Sequence, residues 1–258
     1  VSKIRVTALY SGSKGNSIYI RCGGTSILID GGKAARTLEC ALSSAGGNIR
    51  DISAIFVTHE HSDHISALEI ISKKYHIPVH ITEASAVKGV LPMSHLSSVA
   101  RLHTPIYSER AGEMTVTSFL LSHDSNMCVG YRIDSDDDSV GILTDTGYIS
   151  DTALAAVSGC KTVVIEANHD VKMLREGRYT YTLKERVLSR AGHLSNDACA
   201  AAAVELCRCG AERVLLAHLS EENNLPELAR ATVEGALCAA GLSATVLTAS
   251  PDTATEVQ

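Results

Sequence analysis

The chain has 258 residues, 45% of them hydrophobic and 20% charged, which is ample material for a sizeable core and excludes a disordered chain. No apolar run approaches the roughly 18 residues that a membrane-spanning helix needs. The formal charge is -6, which taken alone argues against a nucleic-acid partner.

The first half reads as strand-rich. Residues 4–10 alternate, and 17–22 and 25–29 are short β runs around Gly23-Gly24, a hairpin signal. A helix is expected over about 33–44, ended by Gly46-Gly47. Residues 52–57 form a buried strand that runs into a histidine cluster, and Ile65, Leu68, Ile71 and Tyr75 fall at helical spacing. The middle returns to strands at 114–121, 131–133 and 140–143. The acidic run 134–139 between the last two lacks the glycine and distal glutamate of a calcium loop and reads as a solvated turn. Residues 162–166 form the next strand. Ser195 is placed to cap a helix reaching about Arg208, 214–218 is a strand, Pro226 opens a helix to about Ala240, and 244–247 is a final strand. With no linker or repeat, residues 1–258 are expected to form a single α/β domain.

Eight cysteines and eleven histidines stand out. With no signal-peptide stretch at the start, the cysteines are expected to be reduced, mostly buried thiols of a cytoplasmic protein. The close pair Cys207-Arg208-Cys209 lacks a second pair at zinc-finger spacing. The histidines are more informative. Thr58-His59-Glu60-His61-Ser62-Asp63-His64 packs four potential metal ligands into six residues, where a buried strand ends and a helix begins. One ion cannot comfortably take all four donors from so tight a span, whereas two neighbouring ions can. His123, Asp145 and His218 each follow a β run, so they could complete two ligand sets at one sheet edge. His76, His80, His95 and His103 lack such placement and read as background.

This set, His59-x-His61-x-Asp63-His64 followed by His123, Asp145 and His218, resembles the metallo-β-lactamase fold superfamily over nearly the whole chain. The resemblance implies a four-layer αββα sandwich with the site at one edge. It implies that His59, His61 and His123 hold one ion, that Asp63, His64 and His218 hold the other, and that Asp145 bridges them. Asp30 would support the site from behind. The segments Ser11-Gly12-Ser13-Lys14-Gly15-Asn16-Ser17, Glu166-Ala167-Asn168-His169-Asp170, Gly192-His193-Leu194-Ser195-Asn196 and His218-Leu219-Ser220-Glu221-Glu222-Asn223-Asn224 are similar to those of the bacterial WalJ (YycJ) group. That likeness implies a metal-dependent phosphodiesterase acting as a 5′-to-3′ exonuclease on double-stranded DNA. The Gly192-His193 element also resembles a segment of tRNA 3′-processing ribonucleases and cyclic phosphodiesterases, where a histidine sits near the scissile phosphate.

Two divalent cations, less the charges of Asp63, Asp145 and a bridging hydroxide, leave a core of about +1 that favours a phosphate oxygen. The expected chemistry is attack of that hydroxide on phosphorus, with Asp63 orienting it and His193 contacting the phosphate or acting as general acid. Zinc, manganese and iron all suit such donors. His169, Asn168, Ser195 and Asn196 are expected near the substrate, with support behind the site an equal role for His169. Arg175 and Arg178 belong to the segment 172–190, which carries a local +4 with Tyr179 and Tyr181 interleaved, and are expected on DNA. Gly15-Asn16-Ser17 lacks the ending of a P-loop, so no nucleotide cofactor is expected. Two other readings stay open: a small-molecule hydrolase of cyclic phosphodiesters, thioesters or lactones, and a DNA-binding regulatory protein with weak catalysis.

Overall fold

The glycine pair at 23–24 turns the chain into a hairpin. Gly23 takes a φ of +55°, and strands β2 (Ser17–Cys22) and β3 (Thr25–Ile29) pair antiparallel from Ile18↔Ile29 to Cys22↔Thr25. Around this hairpin the computed structural model, which describes residues 3–89 and 98–257, assembles two sheets of seven strands each. His95 lies outside the described residues.

The first sheet comprises the hairpin, β1 (Arg5–Tyr10), β4 (Ile52–Phe56), β5 (Val79–Thr82), β6 (Ala100–His103) and the C-terminal β14 (Thr255–Val257), ordered β14-β1-β2-β3-β4-β5-β6. The second comprises β7 (Ser108–Ala111), β8 (Met114–Leu121), β9 (Cys128–Asp134), β10 (Ser139–Leu143), β11 (Thr162–Glu166), β12 (Arg213–Ala217) and β13 (Thr245–Thr248), ordered β13-β12-β11-β10-β9-β8-β7.

Strand periodicity sorts the apolar side chains into three cores. Ile20, Ile27 and Phe56 meet Val116, Tyr131 and Ile142 between the sheets. Leu28, Ile55 and Val57 face outward, against α1 (Ala35–Ser44) and α3 (Leu68–Tyr75), while Val163, Ile165 and Leu216 face α5 (Asp151–Val157), α8 (Asn196–Arg208) and α9 (Pro226–Ala239). The layers are therefore helix, sheet, sheet, helix, as expected. Fully burying each such Ile or Leu contributes about 1.5–3 kcal/mol. Among the described residues, no helix is long and apolar enough to cross a membrane.

Some local expectations change. The periodic stretch 65–75 is not one helix. Asp63 and His64 sit on a single turn, α2 (Ser62–Ile65), and α3 starts anew at Leu68. Between them the backbone bonds sideways to the loop after β3, with Gly31 N donating to His64 O at 2.7 Å and Ala67 N donating to Gly31 O at 2.8 Å. The acidic turn is only partly solvated, because Asp138 is buried. It accepts hydrogen bonds from the backbone N–H of Ile4 (3.1 Å) and Ser139 (2.9 Å). Asp138→Ala should cost about 1–3 kcal/mol by leaving a buried donor unpaired; a chemical denaturation curve superimposing on that of the parent chain would refute this. Of the cysteines, Cys22, Cys128, Cys160 and Cys199 are buried, but Cys40, Cys209 and Cys238 are exposed, and none of the eight is in a disulfide.

Candidate metal centre

Strand direction brings the site together. β10, β11 and β12 are parallel neighbours, as are β3 and β4. β8 also points the same way as β10, since each is antiparallel to β9. The C-terminal ends of these strands therefore open on one edge of the sandwich, with Glu166 the last residue of β11 and Asp30, His59, His123, Asp145 and His218 just beyond the others. Asp30, Asp145 and His218 have φ values of 62°, 60° and 56°. A left-handed non-glycine residue costs of order 1–3 kcal/mol and persists where its surroundings hold it. Here the backbone turns sharply off the strand and carries the side chain toward the cluster. The His218 N–H, for example, is held by Ser11 Oγ at 2.8 Å.

One glycine is required for close approach. A Cβ on Gly32 would lie 1.8 Å from Asp63 O and 2.7 Å from Asn16 N. At this crossing Gly32 N donates to Asn16 O (2.9 Å) and Asn16 N donates to Asp63 O (2.8 Å). The Asn16 amide then reaches Asp63 Oδ2 and His64 Nε2, each at 3.1 Å.

Most of the imidazoles have one nitrogen tied to the protein. Nδ1 of His64 meets Asp30 Oδ2 at 2.8 Å, Nδ1 of His123 meets Gly192 O at 3.1 Å, and Nδ1 of His218 meets Glu166 Oε1 at 3.0 Å. Their Nε2 atoms converge on Asp145: Oδ2 lies 3.4 Å from His64 Nε2, and Oδ1 lies 3.5 Å from His218 Nε2 and 3.9 Å from His123 Nε2. His59 Nε2 lies 3.0 Å from His61 Nδ1. A ring anchored through one nitrogen, with the other turned inward, is the arrangement that metal-binding histidines adopt. Asp145 Oδ2 and His218 Nε2 are buried and make no hydrogen bond. The donors fall into overlapping groups whose atoms lie within 4.8 Å of one another: His59, His61 and His123; Asp63, His64 and His218; His59, His64 and Asp145. The residues thus fit a divalent ion in donor type, spacing and unsatisfied atoms.

Charge tells the same story. Burial opposes a charge on His218, but Asp145, Asp63 and Glu166 outweigh it and raise its pKa to about 10. Burial likewise opposes a charge on His64, and Asp145, Asp30 and Asp63 lift it well above the ordinary histidine value. Burial and neighbouring imidazoles hold His59 well below that value, so its ring is neutral. The carboxylates draw positive charge into the cluster, which protons or divalent ions can supply.

Each residue expected at the site can now be placed. His59, His61, Asp63, His64, His123, Asp145 and His218 come together. Asp30 binds both the Thr58 backbone N–H (2.8 Å) and hydroxyl (2.9 Å) as well as His64. His193 joins them, its Nδ1 2.7 Å from Glu166 Oε1. The substrate contacts fare differently. Asn168 is buried and donates to His218 O at 2.9 Å. Asn196 is buried and pairs its amide with that of Asn224. Ser195 caps α8 by accepting from Ala198 N. These groups are committed to joining the ends of β11, β12 and α8. His169 is buried with neither ring nitrogen hydrogen-bonded. The basic segment forms α6 (Val171–Glu176) and α7 (Tyr181–Leu188). Arg175 and Arg178 are exposed, but the Arg186 guanidinium binds Asp124 and that of Arg190 lies 3.7 Å over the Tyr148 ring.

Two participants were missed. Glu166 is fully buried and also accepts from Thr146 N (2.8 Å) and Leu194 N (3.3 Å). Its signal was present, a carboxylate directly after the apolar run Val163-Val164-Ile165. Asp124 sits 3.4 Å from His123 Nε2, and nothing in its loop sequence marks it.

A family model described as Beta-lactamase superfamily domain matches residues 25–219. Exodeoxyribonuclease YycJ of Bacillus anthracis is 37% identical over 239 residues, covering 91% of this chain and 89% of that protein. Exodeoxyribonuclease WalJ of Streptococcus pneumoniae serotype 2 is 36% identical over 259 residues, covering 97% and 96%. Among solved structures, the metallo-beta-lactamase fold protein YhfI from Bacillus subtilis superposes with a TM-score of 0.76 at 19% identity, covering 98% of this chain and 99% of that one. The short form of human tRNase Z gives 0.68 at 19% identity, covering 97% and 98%. At these identities the two structures show the fold alone.

Proposed function

Because the chain belongs to the beta-lactamase superfamily, in its metallo-β-lactamase-fold branch and beside the exodeoxyribonucleases YycJ and WalJ, we propose that it is a two-metal phosphodiesterase that degrades DNA from the 5′ end. The observation that carries this reading is Asp145, whose Oδ1 faces both His123 of one donor set and His218 of the other, while Oδ2 faces His64. In this reading His59, His61 and His123 would hold one ion and Asp63, His64 and His218 the other, with Asp145 available to both. Zinc or manganese suits these donors, with iron a further candidate. Such a pair, when bound, supplies Lewis acidity toward water and toward the phosphate oxygens.

The chain's own residues do the rest. Asp63 is the more exposed carboxylate, at 24% against 2% for Asp145. It orients the attacking water, and the Asn16 amide fixes its angle. His193 keeps Nδ1 on Glu166, which leaves Nε2 to meet the substrate. Burial opposes its charge, but Glu166 outweighs this and raises its pKa, so it can deliver a proton to the leaving 3′ oxygen. Arg175 and Arg178, exposed on and just after α6, take the phosphate backbone in this reading.

End-labelled linear duplexes test this directly. With manganese or zinc present, label at a 5′ end should be released first. Release from the 3′ end would overturn the polarity, and turnover of a thioester without DNA cleavage would overturn the nuclease reading. A catalytically dead chain that still binds DNA tightly would favour the regulatory one. Replacing Arg175 and Arg178 with glutamine should weaken binding and flatten the log–log salt dependence by up to about 1.8, at ~0.9 per phosphate contact. An unchanged slope removes them from the interface.

A further inference from the structure

At the β6–β7 edge, three polar side chains occupy positions where strand alternation would place apolar ones. In a parallel pair, residues in register share a face. His80 on β5 is in register with Phe56, a residue of the inter-sheet core. On the same pattern His103 on β6, in register with Thr82, faces the same way. Glu109 comes from the opposite sheet, on β7, in register with core residue Val116. His80 Nδ1 lies 3.0 Å from His103 Nε2, and Glu109 Oε1 lies 3.9 Å from His103 Nδ1. One donor atom from each of the three lies within 4.8 Å of the others. Packing holds the rings: His80 stacks on Phe56 at 4.5 Å and His103 on Tyr107 at 3.9 Å, while the Tyr107 hydroxyl bonds that of Tyr131 at 3.0 Å. All three residues are partly exposed, so an ion has a way in.

We infer that His80, His103 and Glu109 form a second metal-binding site, separate from the cluster around Asp145, in which a divalent ion such as zinc staples the two sheets at their open edge. Two imidazoles and a carboxylate, with a solvent molecule as fourth ligand, are a recognised donor set for zinc. Zinc–nitrogen bonds of about 2.0–2.1 Å place two tetrahedral imidazole nitrogens roughly 3.3 Å apart, so the observed pair needs to open by only a few tenths of an ångström, while the Glu109 carboxylate, now beside the other His103 nitrogen, has to swing toward Nε2. Burial, helped by the facing imidazole and by Arg101, lowers the His80 pKa to about 4, and burial also lowers that of His103. Both rings are therefore neutral near pH 7, the form that ligates. The Arg101 charge opposes a cation here, and Glu109 supplies the compensating one. No residue is shared with the donor groups of the catalytic cluster.

The test is zinc content after saturation and exhaustive dialysis of the full chain, in the parent and in His103→Gln and Glu109→Gln. The parent is expected to hold about one zinc ion more per chain than either variant, and each variant is expected to show a smaller zinc-dependent rise in Tm than the parent. Hydrolysis of bis-p-nitrophenyl phosphate should stay within twofold of the parent. Placing His103→Gln in an Asp145→Asn background separates the two sites, because the doubly substituted chain should hold about one ion fewer than Asp145→Asn alone. Equal zinc content in the parent and both variants would overturn the site. A loss in His103→Gln with none in Glu109→Gln would overturn it as a three-ligand staple. Glu109→Gln leaves the packed rings in place, so folding does not confound that arm.

Discussion

Replacing Asp145 with asparagine is expected to lower DNA hydrolysis about a thousandfold or more and to reduce bound metal, with the fold intact. A thousandfold corresponds to about 4 kcal/mol of transition-state stabilisation, the range expected when two-metal charge stabilisation is lost. Asparagine isolates the charge from the backbone. Asp145 has a φ of 60°, and asparagine tolerates the left-handed region whereas alanine does not. The amide also keeps the volume of a residue that is only 2% exposed. What it removes is the anionic donor facing His64, His123 and His218. Elemental analysis and a circular-dichroism melt, alongside the rate, separate these effects. A parent-like rate with parent-like metal content would eliminate Asp145 as the shared ligand.

Glu166→Gln should lower activity or metal affinity by about 10–100-fold, the effect typical of groups that orient a metal ligand. Glu166 accepts four hydrogen bonds, from His193, His218, Thr146 and Leu194. A glutamine has one acceptor oxygen, and its NH2 group would confront a donor. At least one buried partner would go unsatisfied, at a cost of about 1–3 kcal/mol. If Glu166 also holds His193 for proton delivery, the loss should be larger on DNA than on bis-p-nitrophenyl phosphate, whose leaving group departs without a proton. Equal losses on the two substrates would restrict Glu166 to supporting His218.

Much of this was legible in advance for physical reasons. Strands at 17–22, 25–29, 114–121 and 162–166 emerge with the expected bounds, because strands buried on one or both faces leave apolar runs cut by turn residues. The cap at Ser195 and the proline start at Pro226 were also readable, since helix termini have local chemistry. β14 was not readable: three residues with a glutamate at their centre become a strand because Val6 and Ala8 pair with Val257 and Thr255. The short strands β5, β6 and β7 escaped for a similar reason. The break between α2 and α3 depends on Gly31, more than thirty residues earlier in the chain.

By itself the amino-acid sequence determined the kind of site, because donors packed as His59, His61, Asp63 and His64 state their chemistry without a fold, and strand ends mark where partners emerge. Only the tertiary structure decided how those donors pair. Glu166 beneath both His193 and His218, Asn16 across Asp63 and His64, and the inward-facing His80, His103 and Glu109 each join segments far apart in the chain. Local periodicity reports which face of an element is buried; it carries no information about which other element that face will meet.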